Sequence, residues 1–197
     1  MGNASSRIED DLLSIYDGAA YWSYAHPSNE IDEGWHHVVF VWNDTDSQTN
    51  PGVAGYDIYL DGKLITTADG ARFGTYGGNG SQIDVDHLRF GTRDFGHDPG
   101  GMPFAGRMDE AAIFSSSLSA ADVTALYNLG KPTDLADPSS YDTPGMEDHL
   151  SNWWRMGDND DAEAGAGMSL LTDVGSSGYD LHQAAERWQP IFSTSTP

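Results

Sequence analysis

Branched and aromatic residues concentrate between positions 34 and 67, and their spacing predicts β-strands. Residues 35–42 form a continuous run of β-favouring side chains, which is typical of a strand. In residues 56–61 apolar positions alternate with polar ones, so a second strand with one buried and one wetter face is predicted. Asp61-Gly62 predicts a two-residue hairpin, because such a turn needs positive φ at both central residues. Residues 64–67 are expected to return as the partner strand.

The remaining chain alternates short apolar runs with turn-rich loops. Further strands are predicted within 13–24, around an Asp17-Gly18 turn, and at 85–91 and 104–114. Long loops at 68–81 and 92–102 separate the later strands.

One helix is predicted near residues 119–129. Ser119 offers an N-cap hydroxyl and Asp122 stands at the third helical position. Val123, Leu126 and Tyr127 share one face of this helix, and Gly130 and Pro132 end it. The pattern therefore predicts many strands and a single helix.

Two motifs carry a resemblance to a known family. The first is W-H-H-V-V-x-V followed by Y-x-x-Y-L-D-G-K, within residues 34–63. The second is F-A-G-R-M-D-E-A-A-I-F at 104–114, followed by S-L-S-A-A-D-V at 117–123. Together they resemble the laminin G-like group of the concanavalin A-like jelly rolls. The resemblance implies an all-β, two-sheet antiparallel jelly-roll sandwich with one short helix near 119–129. We expect a single domain over residues 1–197, with residues 1–13 as an N-terminal arm.

A third motif lies near the C-terminus. L-S-N-W-W-R-M-G-D at 150–158, followed by L-x-D-x-G-x-x-G-Y-D-L at 171–181, resembles the strand that opens a laminin G-like domain. In the family this strand comes first and pairs beside the closing strand. We therefore expect the segment 150–197 to fold back, so that strand 151–157 pairs with strand 106–114. The alternative is the remnant of a following repeat, packed on the outside. The order of these motifs also resembles C-terminal modules of tailed-virus structural and attachment proteins.

Composition excludes several classes of partner. The chain has 31 acidic and 9 basic residues and a net charge of −22, so it is not expected to bind nucleic acid. No apolar run is long enough to span a bilayer, and we expect no membrane insertion. The absence of cysteine excludes disulfides and thiolate metal sites. Such acidity is typical of proteins from marine or high-salt sources, although an acidic surface alone explains it equally well.

The carboxylate pattern argues against an enzyme. Glucanases of the resembled superfamily carry E-x-D-x-E or E-x-D-x-x-E on one strand, and the chain has no such motif. On a strand the adjacent Asp109 and Glu110 would point to opposite faces and could not share a substrate. The same geometry prevents His36 and His37 from chelating one metal ion. A glycoside hydrolase is therefore the least supported function.

Calcium is the candidate cofactor, because hard cations bind carboxylate and carbonyl oxygens. The resemblance implies Asp109 and Asp173 as its ligands, since closure of the sheet by the C-terminal strand would bring them together. The Asp158–Asp161 cluster lacks the glycine and terminal glutamate of an EF-hand loop. The alternative is that both aspartates are ordinary turn and surface residues.

The long loops carry the candidate ligand-binding residues. Phe73, Tyr76, Phe95 and His97 lie there, and aromatic rings in loops stack on sugars or form protein contacts. The sequence predicts a non-enzymatic, lectin-like recognition or adhesion module on a virion or extracellular surface. Its expected partners are a glycan or other virion or cell-surface proteins, in a homo-oligomer or a larger assembly. The alternative is a structural decoration or interaction protein of a virus particle that has lost glycan binding.

Overall fold

The computed structural model describes residues 5–9, 12–16, 21–25, 34–43, 55–65, 90, 106–156 and 170–182. For the first three of these ranges, and for residues 55, 56, 170 and 182, the description is of the backbone alone. The chain divides into two compact units, Met1–Gly106 and Arg107–Pro197, which are described separately below.

The first unit begins with a three-stranded antiparallel sheet. It consists of β1 (Ser5–Glu9), β2 (Leu12–Tyr16) and β3 (Tyr21–Ala25), in that spatial order. The pairing of β2 with β3 confirms the two strands predicted within residues 13–24. β1 lies inside the predicted N-terminal arm, and its backbone pairs with β2 from Ser5↔Tyr16 to Glu9↔Leu12. This part of the arm is therefore a sheet strand.

A second antiparallel sheet in this unit contains β4 (Val38–Asn43), β5 (Gly55–Leu60) and β6 (Lys63–Leu64). The turn between β5 and β6 is the predicted one, with φ of 51° at Asp61 and 75° at Gly62. Side chains of Ile58, Leu60 and Ile65 form a small buried cluster against this sheet.

The predicted wetter face of β5 is wrong. Asp57 and Tyr59 are each 1% exposed, so they are as buried as Ile58 and Leu60 on the other face. In a strand that is covered on both sides, alternation of polar and apolar residues no longer reports alternation of exposure. Local sequence does not show what covers the second face of a strand, so the pattern alone predicts a half-buried strand.

The second unit contains β7 (Ala111–Phe114), α1 (Ala120–Tyr127) and β8 (Leu150–Trp154). Two short strands follow, β9 (Leu170–Leu171) and β10 (Leu181–His182), which pair with each other. β7 and β8 pair antiparallel, from Ala111↔Trp154 to Phe114↔Leu150, with an irregularity between Ile113 and Phe114. The expected pairing of the C-terminal strand with the 106–114 strand is thus present in these residues.

The closing strand is shorter than the predicted 104–114. Glu110 has φ of 52°, a left-handed conformation that ends a strand, and β7 begins one residue later. The expectation that Asp109 and Glu110 alternate on a strand is therefore wrong, because neither residue belongs to one.

Helix α1 confirms the predicted helix and its cap. Asp122 N–H donates to Ser119 Oγ at 3.1 Å, and Ser119 N–H donates to Asp122 Oδ2 at 2.9 Å. The Asp122 carboxylate also accepts hydrogen bonds from Thr143 N (2.7 Å) and Thr143 Oγ1 (2.8 Å). One buried side chain thus caps the helix and holds the irregular 131–149 segment against it.

The core of the second unit lies between this helix, the irregular segment and β8. Its buried apolar side chains are Leu118, Val123, Leu126, Leu135, Tyr141, Met146, Leu150, Trp153 and Trp154. Tyr141 packs edge-on against Phe114, and its hydroxyl donates to Leu135 O at 2.7 Å. Burial raises the pKa of this hydroxyl to about 12.

The predicted 85–91 strand and both long loops lie outside the described residues, apart from Phe90. Within the ranges given above, no helix is both long and apolar enough to cross a bilayer. The expectation of a single domain over residues 1–197 stays a prediction.

Candidate functional site

The sequence-predicted residues fall into two groups. Phe73, Tyr76, Phe95 and His97 lie outside the described residues. Asp109 and Asp173 both lie in the second unit. Asp109 comes shortly before β7, and Asp173 forms a β-bridge with Trp154 of β8.

The Asp173 carboxylate is the centre of a dense hydrogen-bond network. It is 7% exposed and accepts four hydrogen bonds. Oδ1 accepts from Trp153 N and Gly175 N, both at 2.8 Å. Oδ2 accepts from Asn152 Nδ2 at 2.7 Å and from Tyr179 N at 2.8 Å. Burial alone would raise the pKa of Asp173, but these donors outweigh it and hold the pKa below its usual range.

The residues that follow Asp173 dock along β8 as an additional extended segment. Val174 N donates to Trp153 O at 2.8 Å and Ser177 N to Ser151 O at 2.8 Å. Ser176 binds Leu150 O through its N–H (3.3 Å) and its hydroxyl (2.9 Å). β8 therefore lies between β7 on one edge and residues 173–177 on the other. We call residues 173–180 the C-terminal lock.

Two glycines and a tryptophan shape the lock. A Cβ on Gly175 would lie 2.6 Å from Asn152 Cα and 2.6 Å from Ser151 O, so only glycine fits against this backbone. Gly178 has φ of 65°, which turns the chain back towards β8. Trp154 Nε1 then donates to Tyr179 O at 2.9 Å. The motif D-x-G-x-x-G-Y thus encodes both the carboxylate and the backbone path around it.

Glu110 forms a second polar cluster, directly before the start of β7. This is the end of the β7–β8 pair that lies away from the irregularity between Ile113 and Phe114. Trp153 Nε1 donates to Glu110 Oε2 at 2.6 Å, and Arg155 Nε lies 3.5 Å from Glu110 Oε1. The Arg155 guanidinium stacks over the Trp153 ring, 5.0 Å from its centroid. Burial raises the pKa of Glu110, although the contacts with Trp153 and Arg155 oppose this shift. Sequence reasoning missed this cluster, because it depends on the left-handed φ of Glu110.

A calcium ion at Asp109 and Asp173 would compete with these hydrogen bonds. Both oxygens of Asp173 already accept two N–H donors each, and positive donor ends surround the carboxylate. Asp109 Oδ1 accepts from Glu110 N at 3.0 Å. Within the described parts of the chain, no group of three His, Cys, Asp or Glu side chains is arranged to hold a metal ion. As arranged, Asp173 does not fit a calcium ligand, and calcium binding stays a prediction.

In the first unit, Asp61 joins the hairpin turn to the start of β4. Its Oδ2 lies 2.9 Å from His36 Nδ1, and its Oδ1 accepts from His37 N at 2.9 Å. Asp61 N donates to His37 O at 2.8 Å. Burial lowers the pKa of His37, with the charge of Asp61 opposing this shift. His36 is therefore engaged by Asp61, and sequence reasoning identified Asp61 only as a turn residue.

A comparison with protein families matches residues 6–124 to a laminin G family model, described as the concanavalin A-like lectin/glucanases superfamily. The matched residues make up more than half of the chain. The chain belongs to the concanavalin A-like lectin/glucanases superfamily. Comparisons with curated proteins and with solved structures give no match.

Membership of the concanavalin A-like superfamily implies a β-sandwich, in agreement with the antiparallel sheets and the short helix. The match begins within β1, includes β2 to β7 and ends within α1. β8 and the C-terminal lock lie beyond it.

Proposed function

We propose that the chain is a non-enzymatic carbohydrate-recognition module of the lectin type. The observation that carries this proposal is the superfamily match over residues 6–124, which includes both long turn-rich loops. Lectins and glucanases share this superfamily, so the chemistry of the loops and carboxylates decides between the two. Phe73, Tyr76, Phe95 and His97 supply the aromatic and polar side chains that a sugar site needs.

The use of carboxylates supports binding rather than hydrolysis. A retaining or inverting glycosidase needs two carboxyl groups that face one sugar, one of them free to donate a proton. Asp122 and Asp173 each accept several hydrogen bonds from the protein itself, and those bonds stabilise their ionised forms. Glu110 is held by Trp153 and Arg155. These three groups are engaged in the architecture of the second unit.

The finer architecture belongs to the same proposal. In a two-sheet jelly roll, the opening strand pairs beside the closing strand, and we assign these roles to β8 and β7. The observed register, Ala111↔Trp154 and Ala112↔Trp153, supports the assignment. The fold-back would then make 150–182 part of the sandwich.

We further infer that the module is displayed on a virion or another extracellular surface. The resemblance of the C-terminal motif to tailed-virus attachment proteins supports this location. The net charge of −22 agrees with a marine or high-salt environment, where ions screen self-repulsion.

A glycan array with the full chain tests the function, with and without a calcium chelator. The proposal predicts selective binding to a small set of related glycans and no release of reducing sugar from them. Phe73→Ala and Tyr76→Ala are expected to weaken the binding, while Leu129→Ala is the control because that exposed side chain lies outside the long loops and the C-terminal lock. Release of reducing ends would support a hydrolase, and no binding to any glycan would support the structural decoration protein.

A further inference from the structure

Tyr179 combines a fixed backbone with an exposed aromatic ring. Its side chain is 74% exposed, although its N–H donates to Asp173 Oδ2 at 2.8 Å. Its carbonyl accepts from Trp154 Nε1 at 2.9 Å. Asp173 and Trp154 are both buried, so the two backbone polar groups of Tyr179 are anchored to the interior of the unit.

The neighbours of Tyr179 are held in place as well. Gly178 has the left-handed φ of 65° that the turn requires. On the other side, Asp180 Oδ1 accepts from Asp173 N at 2.8 Å. The lock thus fixes the chain before, at and after the tyrosine. Because the backbone at Tyr179 is already ordered, a ligand that packs on the ring has only the side-chain rotamers left to order.

The residues around Tyr179 have the chemistry of a sugar site. Ser176, Ser177 and Asp180 are exposed in the same short lock, and hydroxyl and carboxylate groups are partners for sugar hydroxyls. The side chains next to Tyr179 in sequence carry hydroxyl and carboxylate groups, which favours a polar ligand over the apolar core of a protein interface.

Charge restricts the class of sugar. The chain carries a net charge of −22. An acidic sugar, such as a uronic or sulfated one, would be repelled by that negative charge. Neutral sugars avoid the repulsion, and amino sugars are attracted by the acidic residues.

We propose that Tyr179 stacks on a neutral or amino sugar ring, with Ser177 and Asp180 as hydrogen-bonding groups. This proposal rests on the proposed carbohydrate-recognition function and assigns a sugar contact within the second unit by itself. It assigns the lock a role in binding as well as in holding β8.

The test is a titration of the full chain with the neutral or amino glycan that binds best on the array. Tyr179→Ala is expected to lower the affinity at least about tenfold, a loss in the range of an aromatic contact plus its buried area. Tyr179→Trp should retain binding, because it keeps an aromatic face. Tyr179→Phe should lower the affinity less than Tyr179→Ala, because the aromatic ring makes most of the contact with the sugar. Leu129→Ala, at a side chain that is 86% exposed, is the matched control and should bind like the wild type.

The outcomes separate this proposal from the broader one. Wild-type binding that Tyr179→Ala leaves unchanged overturns the role of Tyr179 and leaves the carbohydrate-recognition function standing. Failure of the wild type to bind any glycan overturns both. Self-association of the wild type that Tyr179→Ala abolishes, with glycan affinity unchanged, would assign the ring to a contact between copies of the chain. Unfolding curves of all variants should coincide with the wild type, because the altered side chains are exposed.

Discussion

Individual carboxylates in the second unit are bound to N–H and O–H donors of the protein rather than presented to solvent. Asp122 joins the N-terminus of α1 to Thr143, and Asp173 joins β8 to the C-terminal lock. Both have a pKa below the usual range, because hydrogen bonds to the ionised form outweigh the cost of burial. In a chain of net charge −22, these buried charges are thus stabilising groups at neutral pH.

Asp173→Asn is expected to destabilise the protein by about 2–4 kcal/mol at neutral pH. The amide NH₂ of asparagine would face N–H donors of Trp153, Gly175 or Tyr179, and some of them would lose their acceptor. Denaturant unfolding measures the change. Asp142→Asn removes the same charge at an exposed position and serves as the control, with a change within about 0.5 kcal/mol.

The difference in stability between the wild type and Asp173→Asn is expected to depend on pH. Since the folded pKa of Asp173 is lowered, its contribution is present above the unfolded pKa of about 3.9 and is lost as pH falls through the folded value. The difference between wild type and Asp173→Asn should therefore shrink in acid. A difference that stays constant from neutral to strongly acidic pH would contradict this role of the carboxylate.

Thermal melting tests calcium binding at Asp109 and Asp173. If Asp109 and Asp173 bind the ion, adding calcium to a chelator-treated sample should raise the melting temperature by several degrees, because a ligand of the folded state stabilises it. Asp173→Asn lowers stability even without an ion, so Asp109→Asn is the variant that decides. Asp109→Asn should abolish the calcium-dependent rise and should leave the melting temperature in chelator nearly unchanged. Melting that is indifferent to calcium would remove the site.

At the scale of elements, the sequence predicted best where local chemistry determines the backbone. The Asp61-Gly62 turn, the Ser119 cap and the β7–β8 pairing follow from turn propensity, capping geometry and a family-like motif. The burial of Asp57 and the end of β7 at Glu110 were missed. The first depends on what covers the strand, and the second on a φ that a non-glycine residue adopts only in its tertiary setting.

Gly175→Ala is expected to detach the lock from β8. The added Cβ would overlap backbone atoms of Ser151 and Asn152, which cannot move without disturbing the β7–β8 ladder. We expect a loss of about 1–3 kcal/mol and faster hydrogen exchange at the amides of Val174, Ser177 and Tyr179.

Ser177→Ala is the control within the same loop, because its N–H bond to Ser151 O is kept. It should leave stability and exchange close to the wild type. Equal behaviour of the two variants would show that residues 173–177 are not held against β8 as described.

In the whole molecule, the superfamily match and the C-terminal segment include different structural elements. The match runs from within β1 through β7, so the sequence alone indicated the β class. β8 and the lock lie beyond it, yet β8 contributes Leu150, Trp153 and Trp154 to the core of the second unit. The proposed ligand loops could be chosen only from residue type, since Phe73, Tyr76, Phe95 and His97 lie outside the described residues.

Deletion of residues 150–197 is expected to give an insoluble or unfolded product. It removes β8, which leaves one edge of β7 unpaired and exposes the apolar residues that pack on the tryptophans. Deletion of residues 183–197 is the control, since it keeps β8, β9, β10 and the lock. Sedimentation and circular dichroism report the outcome, and a soluble, folded product of the longer deletion would show that the segment is an appendage.

A calorimetric titration of the full chain with the best array glycan, followed by analysis of the recovered sugar, tests carbohydrate recognition directly. The proposed function predicts saturable binding with the glycan recovered intact. It also predicts that the affinity for a neutral or amino sugar exceeds that for an acidic sugar of the same length, because of the charge of −22. Cleaved glycan, or no heat of binding from folded protein, would contradict the proposal of a non-enzymatic carbohydrate-recognition module.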